Sequence, residues 1–455
     1  SYKRRKRKNI NFKKKIKFCD KDSIARAIYL QWTRIELFFY LNKKRIFKSL
    51  ILKNSFNFIS LFSSAGIADY GLKMAGGKCL AACEIDPNRR EVHKANFDCP
   101  VFNNIKEDKN NIISLFQKSN IDLIIATPPC QSFSSANSAR GKMQDYRHAE
   151  KDLRNTLFLE AIFIIQKLKP KFIVFENVPN FLERIIKDET SGVIDKIGNI
   201  LDGKLTDYMG WKGKLCCSNF GVPQSRKRSL VFYIRRDIAE KNNISKEVLN
   251  PLLWNKPVKN TPNNLLVLFD GLSHLDSKNE KSSFCKKDKL HIVPTLQEHH
   301  YNWVKAIPPY SGKSAWDNNC PSCQKQVAYG ETYCPYCSSP LLNRPHIKNE
   351  DGSIRAIKGF KTSYRRMSAY GIASTITTNS SAFSSDIKLH PVQNRVLSVR
   401  ECALVQTIPY SFYWPESQFI RKANRIREMI GEAVPCLFTY QIGCKLNDIL
   451  KNIIS

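Results

Sequence analysis

From about residue 56 onward, apolar positions fall into short runs separated by longer amphipathic stretches. Residues 57–62, 78–85, 122–126 and 172–175 are short and largely apolar, which predicts strands; 65–74 and 155–168 place apolar side chains at helical spacing. Strand, glycine-containing turn, helix and strand in repetition predict a mostly parallel, doubly wound α/β sheet. Residues 214–217 and 229–235 read as an antiparallel pair that finishes it. Beyond about 237 the pattern weakens into Asn, Lys, Pro and Ser, which predicts a second, smaller domain with long loops reaching to about 391. Helical spacing returns at 398–406 and from 425 to the end. This last part is expected to pack back on the first domain, making the large domain discontinuous.

Composition narrows the class. A chain of 455 residues with 42% hydrophobic content has room for one large core and a smaller one. It has no run of about 18 uninterrupted apolar residues and no apolar segment behind its basic start, so a soluble, cytoplasmic protein is expected, with neither membrane span nor secretion. Its 15 cysteines then belong to a reducing compartment, where Cys-x-x-Cys pairs mean metal and isolated thiols mean packing or catalysis. A formal charge of +33 creates a field that attracts polyanions, and nucleic acid is the expected partner. Ten basic residues lie within the first 17 positions, the pattern of an arm that contacts phosphates, and 23–52 read as one or two amphipathic helices.

Candidate chemistry centres on Cys130. The segment Ile121-Asp-Leu-Ile-Ile-Ala-Thr-Pro-Pro-Cys130 is a strand-like run stopped by two prolines, so the next side chain is presented at a strand's carboxyl end, where open α/β sheets keep their chemistry. A thiol there reads as a nucleophile, against the plainer possibility of a small buried hydrophobe. The turn Phe62-Ser-Ser-Ala-Gly-Ile-Ala-Asp69, followed by Glu84-Ile-Asp86, has the layout that binds an adenosine: helix N–H groups toward the ligand and a carboxylate toward ribose hydroxyls. An ordinary strand-to-helix turn explains it equally well. Cys320-Pro-Ser-Cys323 and Cys334-Pro-Tyr-Cys337 supply four thiolates suited to a closed, tetrahedral, structural zinc site, within a segment too loop-rich to hold itself together by apolar burial.

Taken together, the blocks resemble the DNA cytosine-5 methyltransferases along nearly the whole chain from Phe56. They run in the family's order: LFSSAG at 61–66, Pro-Pro-Cys-Gln at 128–131, Asp152-Leu-Arg-Asn155, Glu176-Asn-Val178, Gln224-Ser-Arg-Lys-Arg228, Arg395-Val-Leu-Ser-Val-Arg-Glu401 and Gly431-Glu-Ala-Val-Pro435. The resemblance implies a Rossmann-like fold that uses S-adenosylmethionine, with 56–237 as catalytic domain, 238–391 as target recognition domain carrying the zinc ribbon, and 392–455 returning to the first. It implies that Cys130 adds to C6 of a flipped cytosine in double-stranded DNA, that Glu176 protonates or hydrogen-bonds N3, that Asn177 orients the cysteine loop, and that Arg226 and Arg228 lie near the base. The loop 132–154 is expected to close over that base. Phe62, Ser64, Gly66, Glu84, Ile85, Asn104, Ile105, Pro129, Leu157, Glu432 and Val434 align with cofactor positions. A microbial restriction-modification or phage setting follows, with a cognate restriction endonuclease as a possible partner.

Four positions depart from the pattern. Ser64 stands where the family has glycine, Ile67 where a second glycine is common, Asn104 for an aspartate and Glu432 for the asparagine of Gly-Asn-x-Val-Pro. Glu432 brings negative charge toward an amino-acid moiety that already carries a carboxylate, with the expectation of weaker cofactor affinity or another ligand. These departures keep another group donor and an inactive DNA-binding module open as alternatives, and an RNA substrate stands beside them as a close enzymatic one, against which the long recognition region argues.

Overall fold

The computed structural model describes residues 55–129, 156–188, 191–254, 264–357, 362–420 and 423–454. The basic arm, Cys130, the loop 132–154 and the Asp152–Asn155 block lie outside them.

Seven strands form the central sheet: β1 (Phe56–Leu61), β2 (Gly77–Cys83), β3 (Val101–Phe102), β4 (Leu123–Ala126), β5 (Phe172–Asn177), β8 (Tyr208–Cys216) and β9 (Lys227–Arg235), in the order β3-β2-β1-β4-β5-β9-β8. A separate hairpin pairs β6 (Ile185–Lys187) with β7 (Ile194–Lys196). The first five sheet strands are parallel, β9 runs antiparallel to β5, and β8 runs antiparallel to β9. The order reverses between β1 and β4, so their carboxyl ends border the crevice where such sheets bind ligands.

Why this sheet forms is plain along β4, where Leu123, Ile124, Ile125 and Ala126 are all buried, as expected for a central parallel strand covered on both faces. Leu123 and Ile125 face one core, and Ile124 and Ala126 the other. On the second face pack α3 (Ile105–Phe116), α4 (Leu157–Leu168) and α5 (Ile197–Lys204); on the first pack α1 (Ile67–Met74) and α2 (Pro87–Asn96). Most strands begin and end within two residues of the expected positions, but β8 starts at Tyr208, six residues before the expected 214, because its partly exposed middle makes no apolar run. The second stops at Cys83 because Glu84 turns its side chain back to two backbone N–H groups.

The carboxyl-terminal segment supplies α7 (Val399–Val405), α8 (Asn424–Glu432) and α9 (Cys436–Ile454), whose apolar side chains join the α1 core. A Cβ at Gly71 would collide with the Cys436 carbonyl and the Thr439 hydroxyl, so glycine lets α1 and α9 touch backbone to backbone. Thr439 Oγ1 donates to the Ala68 carbonyl at 2.7 Å. Between β9 and α7, helix α6 (Glu298–Lys305) contributes Trp303 and Val304 to a separate core with Trp316, Tyr364 and Phe383. Among the described residues no helix is long and apolar enough to cross a membrane.

Candidate active site and metal centre

The turn after β1 is tight. Phe62, Ser64 and Gly66 all have positive φ, at 61°, 49° and 79°. Glycine suits that region; Ser64 adopts it because its N–H donates to Glu84 Oε2 at 2.9 Å, which fixes the turn against the end of β2. Gly66 has no substitute: a Cβ would lie 2.8 Å from His93 Cδ2 and 2.9 Å from Phe97 Cε2. Ile67 opens α1 and is buried, so it serves the core. Beneath the turn, Asp69 accepts from Ser60 Oγ at 2.7 Å and meets His93 Nε2 at 3.0 Å, a buried network that no spacing in the sequence announced.

Glu84 is buried and its other oxygen accepts from the Asp86 N–H at 2.9 Å. Ile85 beside it is 64% exposed, an apolar side chain at the open end of the sheet. The hydroxyls of Ser63 and Ser64 are buried with no hydrogen-bond partner among the described residues. A held carboxylate, an exposed apolar side chain and two unsatisfied hydroxyls fit a nucleoside-bearing cofactor. Asn104 caps α3, accepting from the Lys106 N–H at 3.1 Å, while its Nδ2 donates to Glu107 Oε1 at 2.8 Å. Ile105 and Val434 are buried; Pro129 and Leu157 are half-buried.

Two strands away, Asn177 Nδ2 donates to the Pro128 carbonyl at 2.9 Å and its Oδ1 accepts from the Val178 N–H at 2.8 Å. This ties the end of β5 to the proline pair directly preceding Cys130. Glu176 is 6% exposed, and Arg228 Nε approaches its Oε1 at 3.0 Å. Burial pushes the Glu176 carboxyl above its usual range, opposed by Arg228 and then Arg226. Arg226 is 0% exposed and does more than add charge. It donates to the carbonyls of Ile376 and Gly431 at 2.9 Å and of Glu432 at 3.2 Å, clamping three chain segments together, a role its motif did not reveal.

Glu432 does not stand as a bare charge. Arg89, from the first turn of α2, donates from Nη2 to its Oε1 at 2.8 Å, and Nη1 lies 3.8 Å from Glu84 Oε1. Burial raises the Glu432 carboxyl, and Arg89 is the main group holding it down. The Arg395–Glu401 block also proves structural. Arg395 grips Glu401 with two bonds of 2.6 and 2.7 Å, both residues being buried, and Glu401 completes a capping box with Ser398 at the start of α7. The Ser-x-x-Glu spacing was the available signal.

In the smaller core, the sulfurs of Cys320, Cys323, Cys334 and Cys337 all lie within 4.8 Å of one another. Two pairs, Cys320–Cys337 and Cys323–Cys334, are 3.6 Å apart. Thiolates around one tetrahedral zinc at about 2.3 Å lie roughly 3.8 Å apart, so the donor set fits zinc. Among the described residues only Val327 and Leu341 add buried apolar side chains to this cluster, too few to hold the segment alone.

Sheet order, cofactor-type turn and acidic strand end define the class as a Rossmann-like methyltransferase. Residues 56–448 match the family of C-5 cytosine-specific DNA methylases, and the chain belongs to that family. It is 28% identical over 406 residues to the Type II methyltransferase M1.HgaI of Avibacterium volantium, spanning 86% of this chain and 98% of that one. It is also 28% identical over 416 residues to M.NgoPII of Neisseria gonorrhoeae, spanning 88% and 97%. A prophage-encoded Escherichia coli protein described as a DNA modification methyltransferase shares the fold, with TM-score 0.55 and 20% identity over 87% of this chain and 99% of that one. The chain is a DNA cytosine-5 methyltransferase, and S-adenosylmethionine is its methyl donor.

Proposed function

We propose that Cys130 is the nucleophile that adds to C6 of a flipped cytosine, with Glu176 as the acid at N3. Cytosine C5 is too weak a nucleophile to attack a methyl sulfonium unaided; adding a thiolate to C6 makes an enamine whose C5 is electron-rich. The observation that carries this reading is the Asn177–Pro128 bond, which joins the strand end bearing Glu176 to the segment running into Cys130. The raised Glu176 carboxyl suits a proton donor toward N3, and Arg228 keeps the charged form tolerable afterwards. Arg226 positions the pocket through its three carbonyls.

S-adenosylmethionine, when bound, supplies the methyl electrophile to C5. Toward it, Glu84 would hold the ribose hydroxyls and Ile85 would cover the adenine, with Phe62, Ser64, Gly66, Asn104, Ile105, Pro129, Leu157 and Val434 around it. Cys320, Cys323, Cys334 and Cys337 would hold zinc with four thiolates and leave no open position, so the metal would be structural and would organise the smaller, target-recognising part of the chain. The likeness to Type II methyltransferases of bacteria supports the reading of double-stranded DNA as substrate, of a cytoplasmic enzyme acting on the nucleoid, and of a cognate endonuclease as partner. Labelled methyl transfer to duplex DNA, single-stranded DNA and RNA, with the modified nucleoside identified by mass spectrometry, tests the reading. It expects 5-methylcytosine in duplex DNA; product confined to RNA would overturn the substrate assignment.

A further inference from the structure

We propose that Arg89 and Glu432 form one unit that recognises the zwitterionic amino-acid end of the cofactor, and that Arg89 is what allows glutamate in place of the family's asparagine. This rests on the assignment of S-adenosylmethionine to the cleft between the first turn, Glu84 and the 431–435 block. Three observations carry it. Arg89 reaches both carboxylates, with 2.8 Å to Glu432 and 3.8 Å to Glu84, so one guanidinium bridges the acid at the end of β2 and the acid of the 431–435 block. Both side chains of the pair stay partly open, at 23% and 26%, so a ligand can reach them. Arg89 is also fixed from behind: it sits one turn into α2, whose N-cap Asp86 accepts from the Asn88 and Arg89 N–H groups at 2.8 and 3.0 Å.

The chemistry follows from complementarity. An α-amino acid end carries one ammonium and one carboxylate. Glutamate without Arg89 would repel the carboxylate; the pair offers an anion to the ammonium and a guanidinium fork to the carboxylate. The Glu432 carbonyl is held by Arg226, so the strand of chain presenting the glutamate is anchored independently of its side chain. The expected weakening of cofactor binding by Glu432 is thereby offset by Arg89, whose guanidinium compensates the Glu432 carboxylate, and a different donor is not needed to explain that residue.

The test is a double-mutant cycle read by calorimetric binding of S-adenosylhomocysteine and of 5′-methylthioadenosine, which lacks the amino-acid end. The variants are Arg89→Ala, Glu432→Asn and the two combined, each checked for an unchanged melting temperature. Arg89→Ala is expected to weaken S-adenosylhomocysteine by about tenfold or more and to change 5′-methylthioadenosine by less than about twofold. Adding Glu432→Asn is expected to recover most of the loss. Equal weakening of both ligands, or a double variant as weak as Arg89→Ala alone, overturns the inference. Wild-type protein that binds neither ligand overturns the cofactor assignment itself, whereas wild-type binding with no effect of Arg89→Ala overturns only the pair.

Discussion

Arg228 Nε lies 3.0 Å from Glu176 Oε1 where the antiparallel strand β9 leaves β5. The pairing puts a fixed positive charge against a buried acid whose proton affinity burial has raised. Glu176→Gln keeps the shape and a hydrogen-bonding group but cannot donate a proton that ionises. It is expected to slow covalent addition to cytosine by about 10²–10⁴-fold, measured in single-turnover assays.

The same shift sets a sign for stability. The folded-state pKa of Glu176 is above its unfolded value, so its contribution is fully present below the unfolded pKa and is lost as pH rises through the folded one. Glutamine mimics the protonated form. Glu176→Gln is therefore expected to melt at least as high as wild type at neutral pH and to lose less stability between acid and neutral pH, which calorimetry across pH measures directly.

Glu401 has the opposite sign. Its pair with Arg395 pulls the carboxyl down to about 2, overcoming the burial that would raise it. The pair's contribution is complete above the unfolded value and fades as pH falls toward about 2. Glu401→Gln leaves a buried guanidinium uncompensated and is expected to cost about 3–5 kcal/mol in urea denaturation at neutral pH. A change under 1 kcal/mol, on the order of a surface pair, would contradict this placement.

Gly431 packs where the backbone of Thr377 and Thr378 leaves no room for a Cβ, and its carbonyl is one of those held by Arg226. Gly431→Ala is expected to destabilise by about 1–3 kcal/mol or more, because backbone cannot yield as a side chain can. The check is the urea midpoint at an unchanged slope.

The central parallel strands were legible because they are buried on both faces and read as apolar runs, as Leu123 to Ala126 do, whereas only the last residues of the half-exposed β8 were read as strand. β3 was not, since two residues make no pattern, and α2 was not, since its polar sequence buries only Val92 and His93. The segment from about 237 to 391 read as loops because arginines organise much of it. Arg344 donates to the carbonyls of Ala328, Glu331, Val327 and Trp316, and Arg366 to those of Val304, Ile307, His390 and Gln393. Nothing in a sequence distinguishes an arginine turned inward onto carbonyls from one in water. Motif order singled out Glu176, Asn177 and Arg228, which lie together where β5 meets β9, while Arg89 escaped notice because its bond to Glu432 spans 343 residues of sequence.

Metal content checks the ribbon. One zinc per chain is expected by elemental analysis, and Cys334→Ser is expected to lower it and to expose the 320–341 segment to protease, leaving cofactor affinity within about twofold. A chain that folds and recognises DNA with no metal would contradict the assignment.

The central claim is the attack of Cys130 on cytosine. Duplex DNA carrying 5-fluorocytosine stalls the reaction after methyl transfer, because fluorine at C5 cannot leave as a proton does. Incubation with S-adenosylmethionine and diverse duplex sequences, followed by denaturing mass spectrometry, is expected to give a protein–DNA adduct that includes one added methyl group, maps to the peptide bearing Cys130, and disappears in Cys130→Ser. No adduct on any sequence, an adduct on another residue, or an undiminished adduct with Cys130→Ser would contradict the account.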